Sequence, residues 1–370
     1  MKSLFGLSMG FAIGLIVALS FTFFAGENPL NIFSILVKSA VASKYDLGLT
    51  LYYATGLTFT GLAVAVAYLS GLFNIGAEGQ LHIAAIAAAL IGAKAQGWPE
   101  WLTWMFLIVA PLILSGLWAA LAGYLKAYRG SHEVIVTIMM NFISLALCSY
   151  MALTIIPNPD SQNPESMKIQ ESFLTLTNDS FKTYFDSAPV SSFLIVALVL
   201  SMALGFIYQK TSVGFLFDAI GENPDYTARL SFSVPKLKVT AMFISGALAG
   251  LCGLNEVLGN TGQYKIGFSP EFGFLGIAVA MMSQNNPWLV PLSSFLLAGL
   301  HKGASDLDLE TSTITRDFSK ILQASIILGV SLQFLLPKMW TSAKSWPSLK
   351  KARPLSNSPE MSQPIPKENL

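Results

Sequence analysis

The chain has 370 residues, 53% hydrophobic and only 12% charged, about half the charge density of an average soluble protein. A net charge of +1 and a pI near 7.7 leave no basic field for a polyanion, which excludes nucleic-acid binding. Cys148 and Cys252 each lie inside an apolar run, where a thiol acts as a small hydrophobe, so neither a disulfide framework nor a cysteine metal site is expected.

The length of the uncharged stretches decides the class, because about 20 consecutive apolar residues cross a bilayer as a helix. The first stretch, 4–24, follows Lys2 as a secretory signal would. It is too long for a typical signal core, and Phe23-Phe24-Ala25 lacks the small residue three positions before a cleavage point, so it reads as a retained first span. Stretches 51–73, 102–125, 134–156 and 190–208 also contain no Asp, Glu, Lys or Arg, which predicts five spanning helices. Runs 239–254 and 321–336 are shorter, but tilt and snorkelling by Lys238 and Lys320 let them span as well. Segments 81–93, 272–282 and 288–300 are apolar but short or interrupted, and they bring the expected architecture to an all-α bundle of about ten spans. Breaks at membrane depth survive only where protein or a watery cavity satisfies the backbone, and broken spans in both halves point toward a translocation path. For 283–287 an ordinary turn between helices is the favoured reading.

With both termini cytoplasmic, 13 of the 22 Lys and Arg residues fall on the inner side and nine outside, a modest positive-inside bias. The membrane-spanning body is then 1–336, with a long external loop at 157–189 and a cytoplasmic segment at 209–236. The tail 337–370 has too few apolar residues to pack and is expected to be disordered cytoplasmic sequence.

No catalytic constellation is visible. His82, His132 and His301 are far apart in sequence, no metal or cofactor motif occurs, and the phosphate loop G-x-x-x-x-G-K-[ST] is absent. An ATP-driven process would therefore need a separate ATPase. Ionisable residues do not run through the spans as a relay, which argues against proton coupling.

The polar groups at membrane depth are few. Asn74, Glu78 and Gln80 stand in FNIGAEGQ (73–80), where glycines permit a broken or re-entrant backbone and the side chains offer hydrogen bonds to a substrate. Glu78 equally fits a role at the start of the following helix, where the dipole favours a carboxylate. Asn141 lies eight residues after Glu133, with Thr137 between, on one inward face of a helix, and it suits a neighbouring helix as well as a substrate. In 209–236, Asn223-Pro224 reads as an N-cap followed by Pro at the first helical position, opening a short helix through about Leu230. Such a helix can dock a partner or simply lie at the interface.

Five blocks together resemble a known family: FNIGAEGQ (73–80), EVIVTIMMNFI (133–143), GENP (221–224), SGALAGLCGLNEVLG (245–259) and GFSPEFGFLGIAVAMM (267–282). They look like the signature blocks of ABC transporter permeases of the nucleoside and simple-sugar uptake group, within the branched-chain amino acid and ribose permease superfamily. The likeness runs from about residue 50 to 336 and is closest to the longer of the two permeases in such systems. It implies a multi-pass permease of a bacterial inner membrane, surrounded by lipid. The implied partners are cytoplasmic ATPase subunits, a second homologous permease and an external substrate-binding lipoprotein, and the implied cargo is a nucleoside or, second, a simple sugar. It also implies that Gly221, Asn223, Pro224 and Arg229 form the coupling element to the ATPase, and that Asn74, Glu78, Gln80 and Asn141 line the path. Tyr226, Thr227 and Ser231 stand where the family usually has two alanines and a glycine. The competing readings are a stand-alone channel or secondary carrier, and a membrane-embedded enzyme.

Overall fold

The computed structural model describes residues 2–24, 26–95, 97–170, 173, 179–311, 320–321, 324–325 and 328–329. The expected span 321–336 and the tail 337–370 lie almost wholly or wholly outside these residues. The described chain is helical, and its only β pairing is two isolated bridges, Pro157 with Ser166 and Glu165 with Lys265.

The named α-helices of the described residues up to 311 are, in chain order, α1 (Lys2–Phe24), α2 (Pro29–Val41), α3 (Lys44–Leu69), α4 (Ala77–Lys94), α5 (Glu100–Arg129), α6 (Glu133–Tyr150), α7 (Asp179–Tyr184), α8 (Phe193–Lys210), α9 (Ser212–Glu222), α10 (Pro224–Arg229), α11 (Val234–Glu256), α12 (Phe272–Met282) and α13 (Val290–Glu310). Two of them run on as π-helical turns, α6 over Met151–Ile155 and α11 over Val257–Thr261. Among the described residues, five stretches are long and apolar enough to cross a membrane: Lys44–Leu69, Glu100–Arg129, Glu133–Ile155, Phe193–Lys210 and Val234–Thr261.

Local chemistry sets the helix starts. Asn28 accepts from the Leu30 N–H ahead of Pro29, and Ser43 accepts from the Asp46 N–H while its hydroxyl donates to the Asp46 carboxylate at 2.6 Å. At this end of the bundle Lys302 of α13, almost buried, lies 3.3 Å from Asp46 and also pairs with Asp306, which ties α13 to the start of α3.

The helices form two shells. α3, α4, α11 and α12 make the centre, where α4 is buried over nearly its whole length and α3 over residues 54–67. Small residues allow the close packing: a Cβ on Gly253 of α11 would collide with the Leu81 carbonyl of α4. Around this centre, α5, α6 and α8 expose Leu114, Leu117, Leu121, Ile135, Met139, Phe142, Leu198, Val199 and Phe206, the apolar outer surface expected of helices facing lipid. Three elements differ from the sequence expectation. Segment 81–93 belongs to a complete 18-residue helix; 209–236 holds α9 as well as the expected short helix; and α2 was not anticipated.

Candidate functional site

α3 ends at Leu69 and α4 begins at Ala77, and residues 70–76 between them are non-helical although Leu72, Asn74 and Gly76 are buried. A freed backbone in such a place costs several kcal/mol per unpaired group unless side chains satisfy it. The sequence-selected residues do so. Asn74 and Gln80 form a reciprocal amide pair, at 2.8 and 3.0 Å, and Asn74 also accepts from the Gly76 N–H at 2.9 Å and donates to the Ser245 hydroxyl at 2.7 Å. Ser245, on α11, donates in turn to the Ala63 carbonyl of α3 at 2.6 Å. From α6, Asn141 accepts from the Gly79 N–H and donates to the Ile75 carbonyl, both at 2.9 Å. Thr137, Asn141 and Ser144 share the buried face of α6, which is the face the spacing from Glu133 predicts.

Glu78 stands in the first turn of α4 but reaches the N-terminus of another helix. Its Oε2 accepts the Gly273 N–H of α12 at 2.7 Å. A Cβ at position 273 would sit 2.6 Å from the Glu78 Cα, so glycine is what permits the approach. The other Glu78 oxygen lies 3.6 Å from His82 Nε2, and His82 Nδ1 is 2.9 Å from the Tyr264 hydroxyl. The N-termini of the 18-residue α4 and the 11-residue α12 thus meet in the bundle's interior, joined by one carboxylate.

The second predicted group lies beside the C-terminal end of α3, where the segment 70–76 begins. Asn223 caps α10 by accepting the Tyr226 N–H at 3.0 Å, and Pro224 occupies the first turn. α10 is exposed apart from Thr227, with Arg229 in its last turn. Phe215, Tyr226, Leu230 and Phe232 add exposed apolar surface around it. Gly221, at the end of α9, packs backbone to backbone on the turn that closes α3: an added Cβ would strike the Leu69 carbonyl and lie 3.0 Å from the Gly71 nitrogen, and Gly71 itself has φ +71°. The two predicted groups are therefore connected, since Gly71 is three residues from Asn74 in the same non-helical segment.

Beside this junction a cleft of about 510 Å³ is lined by residues including Tyr68, Phe73, Glu133, Asp218 and Glu222. Burial pushes the Asp218 carboxyl above the usual carboxylate range, and the charge of Glu222 adds to the rise. A raised folded-state value means that folding shifts the balance toward the neutral acid relative to the unfolded chain. The stability it contributes is complete below the unfolded value, about pH 4, and is lost as pH rises through the folded value. Asp218→Asn is accordingly expected to raise the thermal midpoint of the purified protein at about pH 8 and to leave it unchanged near pH 4. Equal midpoints at both pH values would refute this.

Sequence reasoning did not select Glu256. It is 4% exposed at the end of α11, where it accepts from the Tyr52 hydroxyl and from Asn260 Nδ2 at 3.2 and 3.3 Å. Its signal in the sequence is a lone carboxylate in the block 245–259, two residues past the apolar run 239–254. The phenylalanines near the blocks divide: Phe142 is on the outer surface at 64% exposure, Phe73 is half-buried, and Phe272 is buried against Tyr52 and Tyr53. Among the described residues, no group of three or more His, Cys, Asp or Glu side chains is arranged to hold a metal ion.

The family profile described as "Branched-chain amino acid transport system / permease component" matches residues 47–331. The chain is 35% identical over 338 residues to the guanosine ABC transporter permease protein NupP of Bacillus subtilis (strain 168), covering 90% of this chain and 93% of that one. It is 28% identical over 348 residues to the nucleoside ABC transporter permease protein NupB of Lactococcus lactis subsp. cremoris, covering 92% and 93%. The glucose ABC transporter permease protein of Haloferax volcanii is 25% identical over 308 residues, covering 81% and 80%. No solved structure matches significantly. The profile spans most of the chain, and the likeness to whole permeases extends beyond it at both ends, so this multi-pass membrane protein belongs to the permease-component family of the branched-chain amino acid transport systems, whose members are transport subunits and not enzymes.

Proposed function

We propose that the chain is the permease subunit of an ATP-binding cassette importer for nucleosides in a bacterial inner membrane. In this reading it has about ten spans within 1–336 and both termini in the cytoplasm. It pairs with a second homologous permease, with cytoplasmic ATPase subunits and with an external substrate-binding lipoprotein. The nucleoside assignment is supported by the 35% identity to a guanosine permease over nine-tenths of the chain.

The observation that carries the mechanism is the contact of Gly221 with Leu69 and Gly71. α10, with Asn223, Pro224 and Arg229, is the exposed element that an ATPase would grip. When the ATPase dimer closes, α10 and α9 move as a unit, and because Gly221 leaves no slack against the end of α3, the displacement passes into residues 70–76. Asn74, Gln80 and Asn141 hold that segment to α11 and α6, and Glu78 holds α4 to α12. These four residues form the wall of the path whose two packings would be the outward-open and inward-open states.

The test is reconstitution with the ATPase, second permease and binding protein, followed by uptake of labelled guanosine with and without ATP. ATP-dependent uptake is expected. Asn223→Ala removes the α10 cap, worth about 1 kcal/mol, and is expected to reduce uptake several-fold without preventing assembly. Uptake by this chain alone without ATP would overturn the reading. A simple sugar is the second candidate, supported by the 25% identity to a glucose permease, and labelled ribose in the same assay decides between them.

A further inference from the structure

The mechanism above leaves the buried carboxylate of Glu256 without a role. Glu256 ends the α-helical part of α11, and the chain continues from it as a π-helical turn through Val257–Thr261. Turns of this kind are rare and concentrate at functional sites. A carboxylate at membrane depth is costly, and one that persists there marks a substrate route by default. Both Glu256 oxygens are in use, on hydrogen bonds from one hydroxyl, Tyr52, and one amide, Asn260. Asn260 lies 3.4 Å from the Tyr52 hydroxyl as well, so the three groups close a small polar ring.

Aromatic rings flank this polar ring. The Tyr53 ring centroid is 5.2 Å from that of Tyr52, 6.2 Å from that of Phe272 and 4.9 Å from that of His301. Burial grades across the cluster: Glu256, Tyr52 and Phe272 are buried, whereas Asn260, Tyr53 and His301 are half-buried and form its rim. An acceptor-only carboxylate with two oxygens therefore sits one layer below a rim of ring faces and edges.

We infer that Glu256, Tyr52 and Asn260 form the sugar-binding part of a nucleoside subsite on the transport path, with Tyr53 and His301 flanking the base. The inference rests on the nucleoside reading above. The chemistry is an exchange of donors. The vicinal 2′- and 3′-hydroxyls of ribose donate to the two Glu256 oxygens in place of Tyr52 and Asn260, so the carboxylate stays satisfied whether or not substrate is present. The substrate class follows: a ribonucleoside supplies two adjacent hydroxyl donors, whereas a 2′-deoxyribonucleoside supplies one and leaves a carboxylate oxygen without its incoming partner. Sites that hydrogen-bond a substrate hydroxyl reject the analogue lacking it strongly, because their own buried group is then left unpaired.

The complete reconstituted transporter tests this through the ratio of KM values for 2′-deoxyguanosine and guanosine. For Glu256→Gln, which keeps the shape and one acceptor, the ratio is expected to fall at least about fivefold toward equality, because one charge-assisted hydrogen bond is lost. Tyr52→Phe keeps the ring and removes the competing donor, and it is expected to raise the ratio. Opposite movements are what a structural role would not produce, since general loosening affects both substrates alike. If Glu256→Gln fails to assemble, Tyr52→Phe decides alone. An unchanged ratio in any variant that still transports guanosine overturns the subsite. Failure of the unmodified complex to import either nucleoside overturns the functional reading beneath it, and the two failures are distinguishable.

Discussion

Replacing Glu78 with alanine is expected to reduce ATP-driven uptake by more than about tenfold, because it removes a charge-assisted hydrogen bond worth roughly 1.5–3 kcal/mol in a buried place. The loss falls on two helices at once. The Gly273 N–H of α12, which donates to Glu78 Oε2 at 2.7 Å, would be left unpaired, and His82 would lose the carboxylate 3.6 Å away. Water cannot take over the vacated position easily, since Glu78 is 6% exposed and His82 2%. Glu78→Gln separates geometry from charge: its carbonyl oxygen can still accept from Gly273, so it is expected to retain most of the assembly and a larger share of uptake than alanine. The measurement is initial uptake rate in reconstituted vesicles, normalised to assembled complex. Equal rates for Glu78→Ala and the unmodified chain would remove the α4–α12 junction from the mechanism.

The second large effect is expected at Gly221. Alanine there drives a Cβ into the Leu69 carbonyl, with the Gly71 nitrogen 3.0 Å away, and neither is the movable end of a side chain. Backbone must shift, at a cost of about 1–3 kcal/mol for overpacking of this kind. The shift opens the contact through which α9 and α10 act on the segment holding Asn74. ATP hydrolysis by the complex should therefore continue while guanosine uptake falls by about tenfold or more, and the number of substrates moved per ATP is the quantity to measure. A proportional loss of hydrolysis and uptake would mean that position 221 governs assembly and not transmission.

The helical class and the outer helices were legible because lipid-facing residues are apolar without interruption: the run 102–125 falls inside α5 and 134–156 follows α6 and its π-helical extension. The inner elements were harder, since a helix surrounded by protein needs no apolar uniformity. Gly79 and Gln80 made the apolar run start only at 81 and His82 interrupts it, yet all three belong to a continuous α4 because α5, α6, α11 and the loop bearing Tyr264 satisfy or pack them. The same logic hid Glu256. A charge ends a span only if it must reach water, and here Tyr52 and Asn260 relieve it of that need. The cap at Asn223 was readable because its partner, Tyr226, is three residues away, whereas Glu78 reaches Gly273 across 195 positions and no local pattern announces it. α2 escaped notice because it is only 13 residues long and carries Lys38.

The meeting of α4 and α12 on one glutamate has an electrical consequence. Each helix N-terminus carries roughly half a positive charge, so the charged form of a carboxylate set between two of them, beside a neutral His82, sums with them to about zero. Moving one elementary charge through a membrane potential of 100 mV involves about 2.3 kcal/mol. A junction that is neutral as a unit escapes that work when it is displaced along the membrane normal, and an uncharged cargo adds none. Transport through this protein should then run at the same rate in polarised and depolarised vesicles, with ATP alone setting its direction.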